Sequence, residues 1–364
     1  SRIAIYGPEH EQVARAKVTL GSALCEQGRL DECEQQLSGA LAMQQKLLGP
    51  TALEVGPTLM EYAKLTLARG SLDIAERYYN ESLDIYRRHG EIRTSQAASV
   101  MNGLAGLYAY RGDYAKAEDL YRTALDIDRR TLGQDHPQVA MHVHDLAVQL
   151  QMQGKMAEAE TLYVQSTDML KRILGPTHPH TLDALANYGR FLRRKGNLDR
   201  AEAVLSDVLA NDRIARGERH PFIGHDLVSL ANVRLDRGNF PGAEQDLRAA
   251  LDIYKDALPA DHPYVASALS ALGRAQLGEG HAAQAEATLR QALAMAQKSL
   301  EADSGPVMVT KGALGQALYA QHRAGEAVPL LRESYPILVK TQGKDAVVTR
   351  QVEQLLAQAD AQQR

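Results

Sequence analysis

Four histidines, each followed by proline, stand 42 residues apart at His136, His178, His220 and His262. Histidine is a common zinc ligand, but ligands must converge within about 2 Å of one ion. Residues one period apart on stacked helices are separated by about 10 Å or more, so the four cannot share a metal. A histidine just before a proline reads better as a helix N-cap, with the proline in the first turn, where its missing N–H costs nothing. His178 and His180 are near neighbours, but no third ligand accompanies them. The chain has no GxxxxGK[ST] phosphate loop, no HExxH pair and no GxSxG elbow. Glu76, Glu118, Glu160, Glu202, Glu244 and Glu286 recur at one position of six successive periods and read as exposed charges on solvated helix faces. No catalytic residue, metal or cofactor is expected, and the chain reads as a non-enzyme.

The elements behind this spacing follow from the same period. Gly28, Gly70, Gly112, Gly154, Gly196, Gly238 and Gly280 recur every 42 residues without insertion or deletion. A fixed period of this size signals a solenoid of stacked units, which overrides a domain count taken from the 364-residue length. Each unit reads as two helices. In the third, Met101, Leu104, Ala105 and Tyr108 mark one apolar face of a helix over about 94–110. Gly112 ends it, and a second helix over about 114–130 carries Tyr114, Ala117, Leu120, Tyr121, Ala124 and Leu125.

Columns hold down the chain. Leu20, Tyr62, Leu104, Leu146, Tyr188, Leu230, Leu272 and Leu314 form a large core column, beside a column of glycine and alanine only (Gly21, Ala63, Ala105, Ala147, Gly189, Ala231, Gly273, Gly315). A second-helix column reads Cys33, Ala75, Ala117, Ala159, Ala201, Ala243, Ala285 and Ala327. Lys17 and Lys311 interrupt one core column in the first and last units, and Arg234 and Gln276 interrupt another.

This pattern resembles the tetratricopeptide repeat, in the 42-residue variant of kinesin light chains and their bacterial relatives. The linkers LGQDHP at 132–137, LGPTHP at 174–179, RGERHP at 216–221 and LPADHP at 258–263 carry that resemblance. It implies an all-α, right-handed superhelical solenoid of antiparallel helix pairs. The array is expected over residues 1–343, with units near 8–49, 50–91, 92–133, 134–175, 176–217, 218–259 and 260–301 and a degenerate one at 302–343. There His322 takes the place of the turn glycine. A capping helix and tail are expected over 344–364. The chain begins at Ser1, and Ile3 to Gly7 read as a helix end, so a longer parent protein is expected.

The resemblance also implies that the first helices line a concave, peptide-binding groove. Core columns must be alike, whereas groove columns are free to differ. The variable columns offer Asn102, His144 and Asp145 in units three and four, and Asn187, Arg190, Arg193, Asn232 and Arg274 in units five to seven. The family's asparagines hold peptide backbone; only Asn102 and Asn187 stand at matching places. These eight residues are the expected peptide-binding set, with acidic ligand groups meeting the arginines. The function so implied is a protein–protein interaction module within a larger signalling, regulatory or effector protein. A self-associating scaffold, a homo-oligomer, is the alternative.

Bulk properties narrow the partners. A net charge of -4, no Trp and three Phe argue against nucleic acid. No apolar run spans a membrane. Cys25 and Cys33 read as buried thiols of a reducing, cytoplasmic compartment, and an excess of Arg over Lys fits a bacterial genome.

Overall fold

The structure is a computed structural model that describes residue 5 and residues 7–362. Seventeen helices and no strand are found among the described residues. The chain divides after Ile173 into two compact units.

The first unit holds α1 (Glu11–Glu26), α2 (Leu30–Leu48), α3 (Val55–Ala68), α4 (Leu72–Arg88), α5 (Ser95–Tyr110), α6 (Tyr114–Thr131), α7 (Pro137–Met152) and, to within one residue, α8 (Met156–Leu174). The second holds α9 (Pro179–Arg194), α10 (Leu198–Arg216), α11 (Pro221–Asp236), α12 (Phe240–Ala257), α13 (Pro263–Gly278), α14 (Ala282–Ser299), α15 (Gly305–Ala320), α16 (Ala324–Gln342) and α17 (Val347–Gln362). Within each unit helices pair as hairpins (α1–α2, α3–α4 and α5–α6 in the first; α9–α10, α11–α12, α13–α14 and α15–α16 in the second), and there the second helix of a hairpin packs on the first of the next. The expected helix at the start of the chain falls largely outside the described residues.

Local chemistry sets the helix boundaries. His136, His178, His220 and His262 are all N-caps: each Nδ1 accepts the backbone N–H two residues on, at Gln138, His180, Phe222 and Tyr264. His10 caps α1 in the same way. The turn glycine takes φ between 74° and 84° in seven successive hairpins, where a Cβ would be strained. His322 has to adopt the same conformation with φ 61°.

The core follows the columns. Cys33 and the seven alanines of its column are fully buried. Tyr62, Leu104, Leu146, Tyr188, Leu230, Leu272 and Leu314 are 2–8% exposed. Leu20 departs from its column at 50% exposed, because among the described residues no helix covers that side of α1. Arg234 reaches Asp246 at 2.6 Å and the Gly242 carbonyl at 3.3 Å. Lys311 lies buried and is ion-paired to Glu333. Val348 and Val352 of α17 join a cluster with Val307, Met308, Leu331 and Leu338.

Two expectations are corrected here. Cys25 and Cys33 are not free thiols. They form a disulfide across the α1–α2 hairpin, with Cα atoms 5.3 Å apart. The sharp turn brings residues eight apart face to face, which the column reading of each helix by itself does not reveal. Disulfides persist in oxidising surroundings, so the thiol argument for a cytoplasmic setting is lost. Among the described residues no helix is long and apolar enough to cross a membrane.

The recurring glutamates are also not free, solvated charges. All six are only partly exposed. Glu76 meets Arg111, Glu118 meets Gln153 and Lys155, Glu202 meets Arg237, and Glu286 meets Gln321 and Arg323. At these joints hairpin stacking sets the first turn of the second helix beside the C-terminal end of the next first helix. The carboxylate therefore bridges two hairpins. Each such pair adds at most about 1 kcal/mol, but the repetition ties these four joints at one register.

Candidate site on the first helices of the second unit

Every residue expected in the groove lies on a first helix. In the first unit Asn102 (α5) donates through Nδ2 to Asp145 (α7) at 2.8 Å. The neighbouring His144 ring stands edge-on to Tyr163, with centroids 5.5 Å apart. One of the two N–H groups of the Asn102 amide is thus taken up inside the protein, while its Oδ1 is buried without a partner among the described residues.

In the second unit the five expected residues form two groups. Asn187 and Arg190 sit one turn apart on α9, and Arg190 Nη2 donates to Asn187 Oδ1 at 2.6 Å. Behind them lies an acid cluster. Asp212 (α10) and Asp226 (α11) are both nearly buried, at 3% and 2% exposed, and Arg216 Nε donates to Asp212 at 2.6 Å. Burial, then the contact with Asp212, raises the Asp226 carboxyl well above its usual range, against the lowering effect of Arg190 and Arg216. With both carboxyls ionised, Asp226 Oδ2 has no donor. A proton there supplies one and bridges the pair. Burial also raises Asp183 and lowers His225 to about 4. Arg190 is therefore partly a counter-ion of this cluster, not only a groove cation.

The second group joins α9, α11 and α13. Arg193 Nε donates to Asp236 Oδ2 at 2.7 Å. Arg274 lies 3.8 Å from the other oxygen of the same carboxylate and donates to Asn232 Oδ1 at 3.1 Å. Asn232 in turn donates to the Val228 carbonyl of its own helix. Only 14% of the Arg274 side chain is exposed. Burial lowers its pKa to about 10, Asp236 opposes that, and Arg193 adds to it.

Asp236 was not among the expected residues, yet it organises the group. Its signal in the sequence is a carboxylate 43 positions beyond Arg193, one period plus one residue, at the end of a first helix. Lys344 and Arg350, from the stretch before α17 and its first turn, share a cavity of about 490 Å³ with Arg193, Asp236 and Arg274. The period could not point to them, because they lie past the last regular unit.

The tetratricopeptide repeat family model matches residues 12–88, 96–171, 140–214 and 227–298, and a second model of the same description matches 60–130. No match is found among curated proteins. Among solved structures, a kinesin light chain with nearly identical TPR-like repeats from Podosopora anserina is 26% identical over 57% of this chain and 98% of its own, with a TM-score of 0.45. The apo quorum sensor NprR from B. thuringiensis is 14% identical, covers 90% of this chain and 88% of its own, and has a TM-score of 0.65. A Rap protein complexed with Competence and Sporulation Factor is 11% identical over 98% of this chain and all of its own, with a TM-score of 0.62.

Proposed function

The chain belongs to the tetratricopeptide repeat family, and from that premise we propose that it is a protein–protein interaction module. Its ligand is an extended or short helical segment with acidic groups, laid along the first helices of units five to seven. The parent protein is proposed to be a larger signalling, regulatory or effector protein. The observation that carries the reading is the convergence of Arg193 and Arg274 on a single carboxylate, Asp236. Two guanidinium groups share one negative charge, and an anionic group from a partner would complete the match.

Magnitudes suit a modest site. A hydrogen bond to a charged group contributes about 1.5–3 kcal/mol, micromolar affinity requires about 8 kcal/mol, and ordering a flexible segment costs about 2–5 kcal/mol. Roughly four to six good contacts are needed by this arithmetic, and three successive first helices can offer them. The Rap protein of similar fold, complexed with Competence and Sporulation Factor, is in keeping with a binding role. A cytoplasmic setting is not required by this proposal.

Two baits test it in a native lysate: the wild-type chain and an Arg190→Gln/Arg274→Gln chain. Neutral replacements are chosen because a glutamate at 190 would add a fourth carboxyl beside Asp183, Asp212 and Asp226. The expected result is a partner captured by the wild type and lost from the variant, with helical circular dichroism unchanged. A partner held equally by both moves the site away from these helices and sinks the proposal.

A further inference from the structure

The charge balance of the 490 Å³ cavity differs from that of the joints elsewhere in the chain. At those joints one arginine sits between two carboxylates: Arg69 with Asp31 and Glu34, Arg111 with Asp73 and Glu76, Arg237 with Asp199 and Glu202. In the cavity the ratio inverts. Arg193 and Arg274 share Asp236. Lys344 and Arg350 make no ion pair among the described residues, and the one further carboxylate in the lining is Asp345. A strongly positive hollow in a chain of net charge -4 is a local arrangement, not a reflection of bulk composition.

Resting on the binding role proposed above, we propose that this cavity seats a dianionic oxyanion, the phosphate group of a phosphorylated partner segment or free phosphate. A single carboxylate brings one charge and two acceptor oxygens, which leaves either the Arg193–Arg274 side or the Lys344–Arg350 side unmatched. A phosphate monoester carries about -1.5 to -2 at neutral pH and three acceptor oxygens. It can meet guanidinium forks on one side and the Lys344–Arg350 wall on the other. The volume exceeds that of the phosphate alone and leaves room for the side chain that bears it.

The test is isothermal titration of the full chain with inorganic phosphate and, at matched ionic strength, with acetate. Phosphate is expected to bind and acetate not to. Lys344→Gln/Arg350→Gln, at two exposed positions that leave the core untouched, should weaken phosphate binding by about tenfold or more. Asp236→Asn, which removes the competing carboxylate, should tighten it. Absence of phosphate binding, equal binding of acetate, or indifference to the Lys344/Arg350 variant each overturns the proposal. A phosphoserine peptide that binds more tightly than inorganic phosphate identifies a phosphorylated segment as the source; no gain from the peptide identifies free phosphate. The two proposals fail separately. A partner captured without phosphate binding removes only the oxyanion site, and phosphate bound without a partner removes only the interaction role.

Discussion

Gly273 stands where Leu289 leaves no space for a side chain. A Cβ at 273 would lie 2.4 Å from Leu289 Cγ, well inside contact distance. The same holds at Gly189 against Leu205, at 2.6 Å, and at Gly315 against Leu331, at 2.8 Å. In units two to four the column holds Ala63, Ala105 and Ala147, and the facing column holds Tyr79, Tyr121 and Tyr163. Leucine branches at Cγ near the neighbouring backbone, whereas tyrosine carries its bulk as a flat ring further out. Ala231 with Leu247 shows that the association is not strict. Gly273→Ala should therefore destabilise by about 1–3 kcal/mol, read from urea unfolding. Adding Leu289→Tyr, which recreates the third unit's combination, should recover part of that loss. Strictly additive costs would show that the close approach is not the cause.

Among the elements, the joint between α10 and α11 stands apart. The positions of Asp212 and Asp226 hold Gln44 and Thr58 in the first joint, Asp128 and His142 in the third, and Tyr86 and Val100 in the second. Gln44 and Thr58 are hydrogen-bonded at 2.7 Å, and His142 lies 3.0 Å from Asp128. Polar pairs thus occupy the first, third and fifth joints at the same buried place. At the fifth, both partners are acids. Because burial raises the folded-state value for Asp226 above the ordinary value of about 4, the folded chain holds a proton that the unfolded chain releases. Stability from this site is complete below about pH 4 and is lost as pH rises toward the raised value. Asp212, Arg190 and Arg216 set how far that range extends, with Asp183 and His225 as the other titratable groups of the cluster. Asp226→Asn keeps a neutral group at every pH. The wild-type melting temperature should fall between about pH 5 and pH 9 by more than that of the variant. Parallel curves would mean that the pair shares no proton.

At the scale of the whole molecule, a solenoid has no single core. Its stability is close to a sum of hairpins and nearest-neighbour joints, so damage should stay local. Val352, fully buried among Val307, Met308, Leu331 and Leu338, gives a clean place to try this. An aspartate there would be an unpaired buried charge, which costs several kcal/mol or unfolds its surroundings, roughly in the range of other isolated buried polar groups. Amide exchange in α15, α16 and α17 should accelerate in Val352→Asp, while that in α1 to α8 stays at wild-type rates. Uniform acceleration along the chain would indicate one cooperative body. The ladder of glutamates and C-terminal arginines or glutamines acts at this scale too, since it repeats at joint after joint where a single pair would contribute little.

The 42-residue period determined most of the architecture by itself: the helices, the turn glycines, the histidine caps and the core columns. These are short-range matters, settled within one turn or by the like residue of the adjoining unit. A repeating sequence states them many times over, and one deviant unit cannot obscure them. The function-bearing detail was less accessible. The eight groove residues could be named from their columns, but not that Asn102 donates to Asp145, nor that Arg190 stands beside Asp183 and Asp226. Only the tertiary structure decided that Cys25 meets Cys33, that Asp236 is shared by Arg193 and Arg274, and that Lys344 and Arg350 close the same cavity. Each of these depends on how side chains from different helices converge after the hairpins have stacked. Such convergence depends on the turn between helices and on the packing angle of each joint, quantities of which a one-dimensional period carries no record.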